Sequence, residues 1–540
     1  MIPEWADEKV YELFKQFIQK CVLTDDSFLT DEKDAVTLTA IDDCIERFIV
    51  KGIEGKGTFE DKIIKQFADA YYNTKLNFAH VNWLWCMSPS DFGINYKKTI
   101  AAWILGDSKR GIFRDDIYPS GGFGDAGPAL KFRKHKEISF LLLIMKQLKQ
   151  NVHKGLISNL QQAIEMVEKI CIECRFNFEN ETSDIIDENI WKLIPEGKLA
   201  MYNILLHLCM PDKYEPIASD GHKNRIQDAF KIFIEDAPNE VKESNREQQI
   251  LYIRDKVAEI IDNDKFTFYD EYIRNIWGWG GIINSYEYEF DPLTALQYKK
   301  AIVLYGPPGT SKTYSAEKIA ENAILRYHLP KCTLKNYLKT VSDQNEIDKI
   351  VKDRIHKLQL HINYNYEDFI AGIKLIDGKT VPQKGDLLNL IEKKIAIDEY
   401  PHVLILDEIN RVDLSRLFGE FFSAIESRDE EINTSIGGFI LKVPQNLLII
   451  GTMNEIDFSL ERVDFALRRR FAWFPFGFDP KILRDIIKGK ISTKITDEEL
   501  EKYIINCQTL NDKIDSTEEL GSQYQIGHTF FAEVAEIYNQ

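Results

Sequence analysis

Three stretches of this 540-residue chain place reactive side chains directly after apolar runs. The first is Gly306-Pro307-Pro308-Gly309-Thr310-Ser311-Lys312-Thr313. It follows Ala301-Ile302-Val303-Leu304-Tyr305 and precedes a helical pattern with Ala316, Ile319, Ala320, Ala323 and Ile324 on one face. A glycine-rich turn between a buried strand and a helix start presents backbone N–H groups to an anion, which suits phosphate. Lys312 would reach the β- and γ-phosphates, and the Thr313 hydroxyl would ligate Mg2+. The usual loop, G-x-x-x-x-G-K-[ST], has glycine where this chain has Ser311.

The second stretch is His402-Val403-Leu404-Ile405-Leu406, ending in Asp407-Glu408. Two carboxylates at the C-terminal edge of a strand can divide the work of phosphoryl transfer to water. Asp407 would hold Mg2+ through its water shell, and Glu408 would polarise the attacking water. The third is Leu447-Leu448-Ile449-Ile450-Gly451-Thr452-Met453, ending in Asn454, whose amide could orient the same water. Beyond it stand Arg468, Arg469 and Arg470, ahead of the aromatic run Phe471–Phe476. Three arginines there read either as a solvated turn or as a source of an arginine finger for a neighbouring subunit's γ-phosphate.

These residues imply the elements that must carry them. Short apolar runs alternating with longer helical stretches after residue 281 predict a parallel α/β sheet, with its ligands at the strands' C-terminal edge. Residues 1–275 are helical in pattern, and Gly278-Trp279-Gly280-Gly281 marks a break. Tyr366–Gly372 follows an expected strand around Leu358–Ile362 and could line a pore or pack. The text after Arg411 predicts one helix burying Leu414, Leu417, Phe418, Phe421, Phe422 and Ile425. His528 could touch nucleotide or cap a helix.

Phosphate loop, Asp-Glu pair, sensor asparagine and arginine cluster in this order resemble an AAA+ NTPase. The forms Asp407-Glu408-Ile409-Asn410-Arg411, Met453-Asn454-Glu455-Ile456-Asp457, Ala466-Leu467-Arg468-Arg469-Arg470-Phe471 and Gly527-His528-Thr529-Phe530-Phe531 resemble the McrB-like branch, over residues 300–531. The resemblance implies an α/β AAA+ core at 286–476 with a helical lid at 477–540, after a mainly helical target-recognition region at 1–280. It also implies a ring, commonly a hexamer, that hydrolyses ATP or GTP with Mg2+. The family's partner is a McrC-type endonuclease. The Glu455-Ile456 middle of the Met-Asn-x-x-Asp loop differs from the Thr-Ala of the GTP-using member, so the base stays open. A nucleotide-gated sensor and a MoxR-like protein-remodelling ATPase are the competing functions.

Composition sets limits on these readings. Apolar residues make up 44% and charged residues 29%, a globular balance that argues against a disordered chain. No apolar run approaches the ~18 residues of a membrane span. The acidic start lacks a signal peptide's basic and apolar blocks, and eight irregularly spaced cysteines read as reduced thiols, so a cytoplasmic protein is expected. The net charge of −18 weighs against a protein that coats nucleic acid. The charge is uneven, however: residues 51–150 hold 16 basic and 10 acidic side chains. That window includes Trp83, Trp85 and Trp103 and the run Lys131-Phe132-Arg133-Lys134-His135-Lys136. It is the first candidate for DNA contact, against the alternative of an aromatic core with a solvated basic face. Gly122, Gly124 and Gly127 match a dinucleotide fingerprint but lack a preceding strand, and so read as a loop. Cys171, Cys174, His207 and Cys209 have the chemistry of soft metal ligands, but lie in apolar helical text and read as buried thiols.

Overall fold

The computed structural model describes residues 8–52, 57–89, 92, 94–106, 114–119, 122, 130, 133–176, 183–197, 199–278, 291–456, 465–491, 497–517 and 519–539. The chain forms two compact units, Met1–Glu287 and Tyr288–Gln540. The glycine-rich break at 279–281 and Asp457 lie outside the described residues, as do Gly124, Gly127, Lys131 and Phe132.

Among its described residues the first unit is built of helices without a strand. Helices Lys9–Phe17, Tyr72–Met87, Lys134–His153, Leu160–Phe176 and Ala200–Cys209 share one core. Tyr72–Met87 is buried around nearly its whole circumference, so the polar side chains it carries inward need partners. His80 Nδ1 donates to the Leu76 carbonyl at 2.7 Å, and its Nε2 accepts from the Phe28 amide at 3.0 Å. Trp83 stacks on Phe17 and donates to the Ile117 carbonyl. Trp83, Trp85 and Trp103 are all buried, which makes them aromatic core. His207 has both ring nitrogens occupied, by Tyr11 Oη at 2.6 Å and the Tyr214 carbonyl at 2.6 Å. Cys171, Cys174 and Cys209 are buried free thiols, with burial pushing each pKa up.

The basic window is less available than its charge implies. Lys134 is mostly buried, pairs with Glu60 at 3.2 Å and sits 5.0 Å from the ring centres of Phe59 and Trp85. Lys149 is buried and bonded to Asp25, and Lys97 is buried with its ammonium on the Met87 and Pro119 carbonyls. Arg133 stays exposed, with Lys136 partly so. Further along, the turn-rich stretch before Lys223 leads into a buried ion network. Arg175 meets Asp220 at 2.7 Å and Glu247 at 2.8 Å, and Lys223 meets Glu247 at 2.6 Å.

The second unit is built on a five-stranded parallel sheet. Its strands are β1 (Ala301–Gly306), β2 (Ile355–Gln359), β5 (His402–Asp407), β8 (Leu447–Asn454) and β9 (Ala472–Pro475), in the order β2-β5-β8-β1-β9. β1, β5 and β8 are buried along almost their whole length, which is why they read as continuous apolar runs. Two hairpins project from this frame: β3 (Ala371–Ile376) with β4 (Lys379–Lys384), and β6 (Ile432–Asn433) with β7 (Ile440–Leu441). The Tyr366 stretch is a short helix, Tyr366–Phe369, leading into β3; Phe369 is buried against Phe418 and Phe421, and Tyr366 Oη donates to Glu420 at 2.8 Å. These two aromatics therefore pack. The single helix expected after Arg411 is two, Leu414–Phe418 and Phe421–Glu426. They are split at Gly419, where φ is +45° and a Cβ would lie 2.9 Å from the Tyr366 ring. The residues expected to form a lid carry the helices Pro480–Ile491, Asp497–Ser516, His528–Phe531 and Val534–Asn539.

Candidate nucleotide site

Strand order brings the chemistry together. β8 lies between β5 and β1, and Gly306 stands in register with Asn454. The phosphate loop, the carboxylate pair and the sensor asparagine therefore emerge at one sheet edge. The loop closes onto the helix Lys312–His328. Gly306 (φ +150°) allows close approach of the next strand's exit, since a Cβ there would fall 2.1 Å from the Phe476 carbonyl oxygen. Pro307 and Pro308 carry the turn, and the Thr310 hydroxyl donates to the Pro307 carbonyl at 2.9 Å. Lys312 is buried with its ammonium on the Gly306 carbonyl at 3.1 Å, the Pro307 carbonyl at 2.6 Å and Thr310 Oγ1 at 3.3 Å. Burial pushes its pKa down to about 8, against the opposing pull of Glu455 and Asp407.

Thr313 Oγ1 donates to Asp407 Oδ1 at 3.0 Å. The Thr452 hydroxyl donates to the same carboxylate oxygen and accepts the Glu408 amide at 3.1 Å. A hydroxyl and a carboxylate in contact at the helix start fit Mg2+, a hard cation that takes few protein oxygens and completes its shell with water and phosphate. Among the described residues no cluster of three or more His, Cys, Asp or Glu side chains could hold a metal by itself. Glu408 has a left-handed backbone, φ +57°, unusual for a non-glycine residue. Its carboxylate is held by Arg411 at 2.9 Å and approached by Gln359 Nε2 at 3.5 Å. Asn454 sits at the end of β8, and its carbonyl accepts from Asn410 Nδ2 at 3.0 Å.

Known proteins match this part of the chain. The AAA domain family (dynein-related subfamily) matches residues 344–471, a span that holds the carboxylates, Asn454 and the arginines and begins after the phosphate loop. The "Type IV methyl-directed restriction enzyme EcoKMcrB subunit" of Escherichia coli (strain K12) is 32% identical over 249 residues. The chain carries a McrB-like AAA+ domain. The alignment covers 44% of this chain and 49% of that relative, so the chain spans about half the length of the protein it matches. A crystal structure of a candidate ATPase from Cytophaga hutchinsonii ATCC 33406 aligns over 54% of this chain and 64% of its own, at 15% identity and a TM-score of 0.22.

The arginines of the McrB-like domain are not equivalent. Arg470 is buried: its Nε donates to the Phe422 carbonyl at 2.9 Å, its guanidinium meets Glu426 at 2.9 Å, and it lies over the Phe422 ring. Against the expectation that all three arginines are available, the Arg470 guanidinium is committed to contacts within its own chain. Arg469 shares Glu426 at 3.2 Å but is exposed, and so is Arg468.

Four participants are not apparent from motif spacing alone. Thr452 could have been noticed as a hydroxyl inside an apolar strand. Arg411 lies three residues after Glu408, within reach across one turn. Glu455 becomes a neighbour of Lys312 only because its amide bonds the Gly306 carbonyl at 3.1 Å. His528, for which a nucleotide contact and a helix cap were both open, lies against Ser311.

Proposed function

We propose that the chain is a nucleoside triphosphatase of the McrB type. What carries this reading is the meeting of Lys312, the Thr313–Asp407 pair, Glu408 and Asn454 at one sheet edge. Incoming phosphates take the place of the loop carbonyls and hydroxyl around Lys312. Thr313 and Asp407 would hold Mg2+, which would supply neutralisation of phosphate charge. Asn454 orients a water, and Glu408, once released from Arg411, takes its proton. The water oxygen bonds to the γ-phosphorus as the bond to the bridging oxygen breaks, releasing nucleoside diphosphate and phosphate. Arg468 or Arg469 completes a neighbouring site, which requires a ring, commonly a hexamer.

In this reading residues 1–280 recognise a target, 286–476 form the NTPase core and 477–540 the lid. The motor drives a separate McrC-type endonuclease in DNA restriction and antiviral defence, with DNA met through the first region, in the cytoplasm. No helix among the described residues is long and apolar enough to cross a membrane.

The test is hydrolysis of ATP and GTP in parallel, with and without DNA. Glu408→Gln is expected to lower turnover by about 100- to 10,000-fold while nucleotide binding and assembly persist. Unchanged turnover in that variant removes Glu408 as the base. Nucleotide-dependent assembly without turnover in the native chain points to the gated-sensor alternative.

A further inference from the structure

Ser311 stands where the usual phosphate loop has glycine, and the lid holds it there. Its backbone lies at φ +56°, in the left-handed region where a Cβ crowds the following carbonyl and glycine does not. His528 begins the short lid helix, is fully buried, and places Nε2 2.8 Å from Ser311 Oγ. Among the described residues this is the ring's one side-chain hydrogen bond, since Nδ1 is buried without a partner. The lid chain around it is pressed onto the loop. Thr529 donates to the Gly309 carbonyl from its amide at 3.0 Å and from its hydroxyl at 2.9 Å. A Cβ on Gly527 would fall 2.2 Å from the Gly309 carbonyl carbon. The charged groups nearest the imidazole are Asp479, ahead of the lid's first helix, and Lys312 of the loop.

We propose that His528 is a positioning residue for nucleotide, acting through Ser311. Its hydrogen bond holds residue 311 in the left-handed geometry that a phosphate-binding loop needs and that glycine adopts unaided. The amides of Ser311, Lys312 and Thr313 then stay aimed at one anion. The proposal rests on the nucleotide reading above and makes one demand beyond it. His528 must matter for binding because residue 311 is a serine. A histidine that merely packed the lid would matter equally with glycine in the loop.

The test is a double-mutant cycle on the full chain, read as equilibrium binding of fluorescent N-methylanthraniloyl ATP and GTP with Mg2+. His528→Ala is expected to weaken binding about tenfold with Ser311 in place, and less than about twofold in the Ser311→Gly background. His528→Gln, whose amide nitrogen falls near the position of Nε2, is expected to recover most of the affinity. His528→Asn, whose nitrogen falls near Nδ1, is not. Equal losses from His528→Ala in the two backgrounds overturn the proposal, and so does a His528→Gln variant as weak as His528→Ala. A native chain that binds neither nucleotide defeats the NTPase reading itself, an outcome visible before any variant is compared.

Discussion

Three buried lysines of the first unit and one of the second are satisfied in opposite ways. In the first, Lys134, Lys149 and Lys223 each end on a carboxylate: Glu60, Asp25 and Glu247. In the second, Lys312 is buried among two carbonyls and a hydroxyl, with no carboxylate bonded to it among the described residues. Removing a cation from water costs several kcal/mol unless a counter-charge comes with it. For Lys134, Lys149 and Lys223 the first unit supplies that counter-charge, so these three lysines serve the fold. Lys312 has carbonyl dipoles only, and burial lowers its pKa accordingly. Such a cation is poised for an anion from solution, and under the proposed function that anion is the nucleotide's phosphate.

Three variants would break or sharpen this contrast. The largest effect is expected at Glu247, which serves Lys223 and Arg175 together. Glu247→Gln should destabilise the first unit by about 3–5 kcal/mol in denaturant unfolding followed by tryptophan fluorescence, because it leaves buried cations undercompensated. A loss below about 1 kcal/mol would show that the network is wet and the lysines are not truly paired. The second effect is at Lys312. Lys312→Met should cost about 1.5–3 kcal/mol of nucleotide affinity, the range for hydrogen bonds to a charged group, without lowering the melting temperature. A melting temperature that falls as far as it does for Glu247→Gln would place Lys312 among the structural lysines instead. The smallest effect concerns the basic window, where Arg133 is exposed and Lys136 partly so while Lys134 is not. Arg133→Glu with Lys136→Glu should weaken DNA binding and reduce the slope of log affinity against log salt by about two, one for each phosphate no longer neutralised. An unchanged slope would make the window surface only.

The site was legible where its parts are local. Strand, glycine loop, lysine and helix lie within one stretch, and each strand carries its polar residue at its own C-terminal end, so Lys312, Thr313, Asp407, Glu408 and Asn454 can be named from order alone. The extent of the fold was legible for the same reason, since buried parallel strands are continuous apolar runs between helices. The basic window misleads because net charge along a chain does not say which ammonium groups end inside. Arg470 misleads because Arg468 and Arg469 have the same side chain, and only the turn of the helix Phe465–Arg470 sends the third one inward against Phe422 and Glu426. The stretch after Arg411 has the apolar spacing of one helix because that spacing runs through Gly419, and only the fold brings the Tyr366 ring beside it.

Order along the chain thus settled the fold class and nominated the candidate chemical residues, because turn chemistry and apolar periodicity act over a few positions. Packing alone decided which charges are free. It also decided that Ser311 meets His528, a hydrogen bond between residues 217 positions apart. No periodicity reaches across that distance. The contact exists because the lid chain folds back onto the loop and meets Gly309, where neither backbone has room for a side chain.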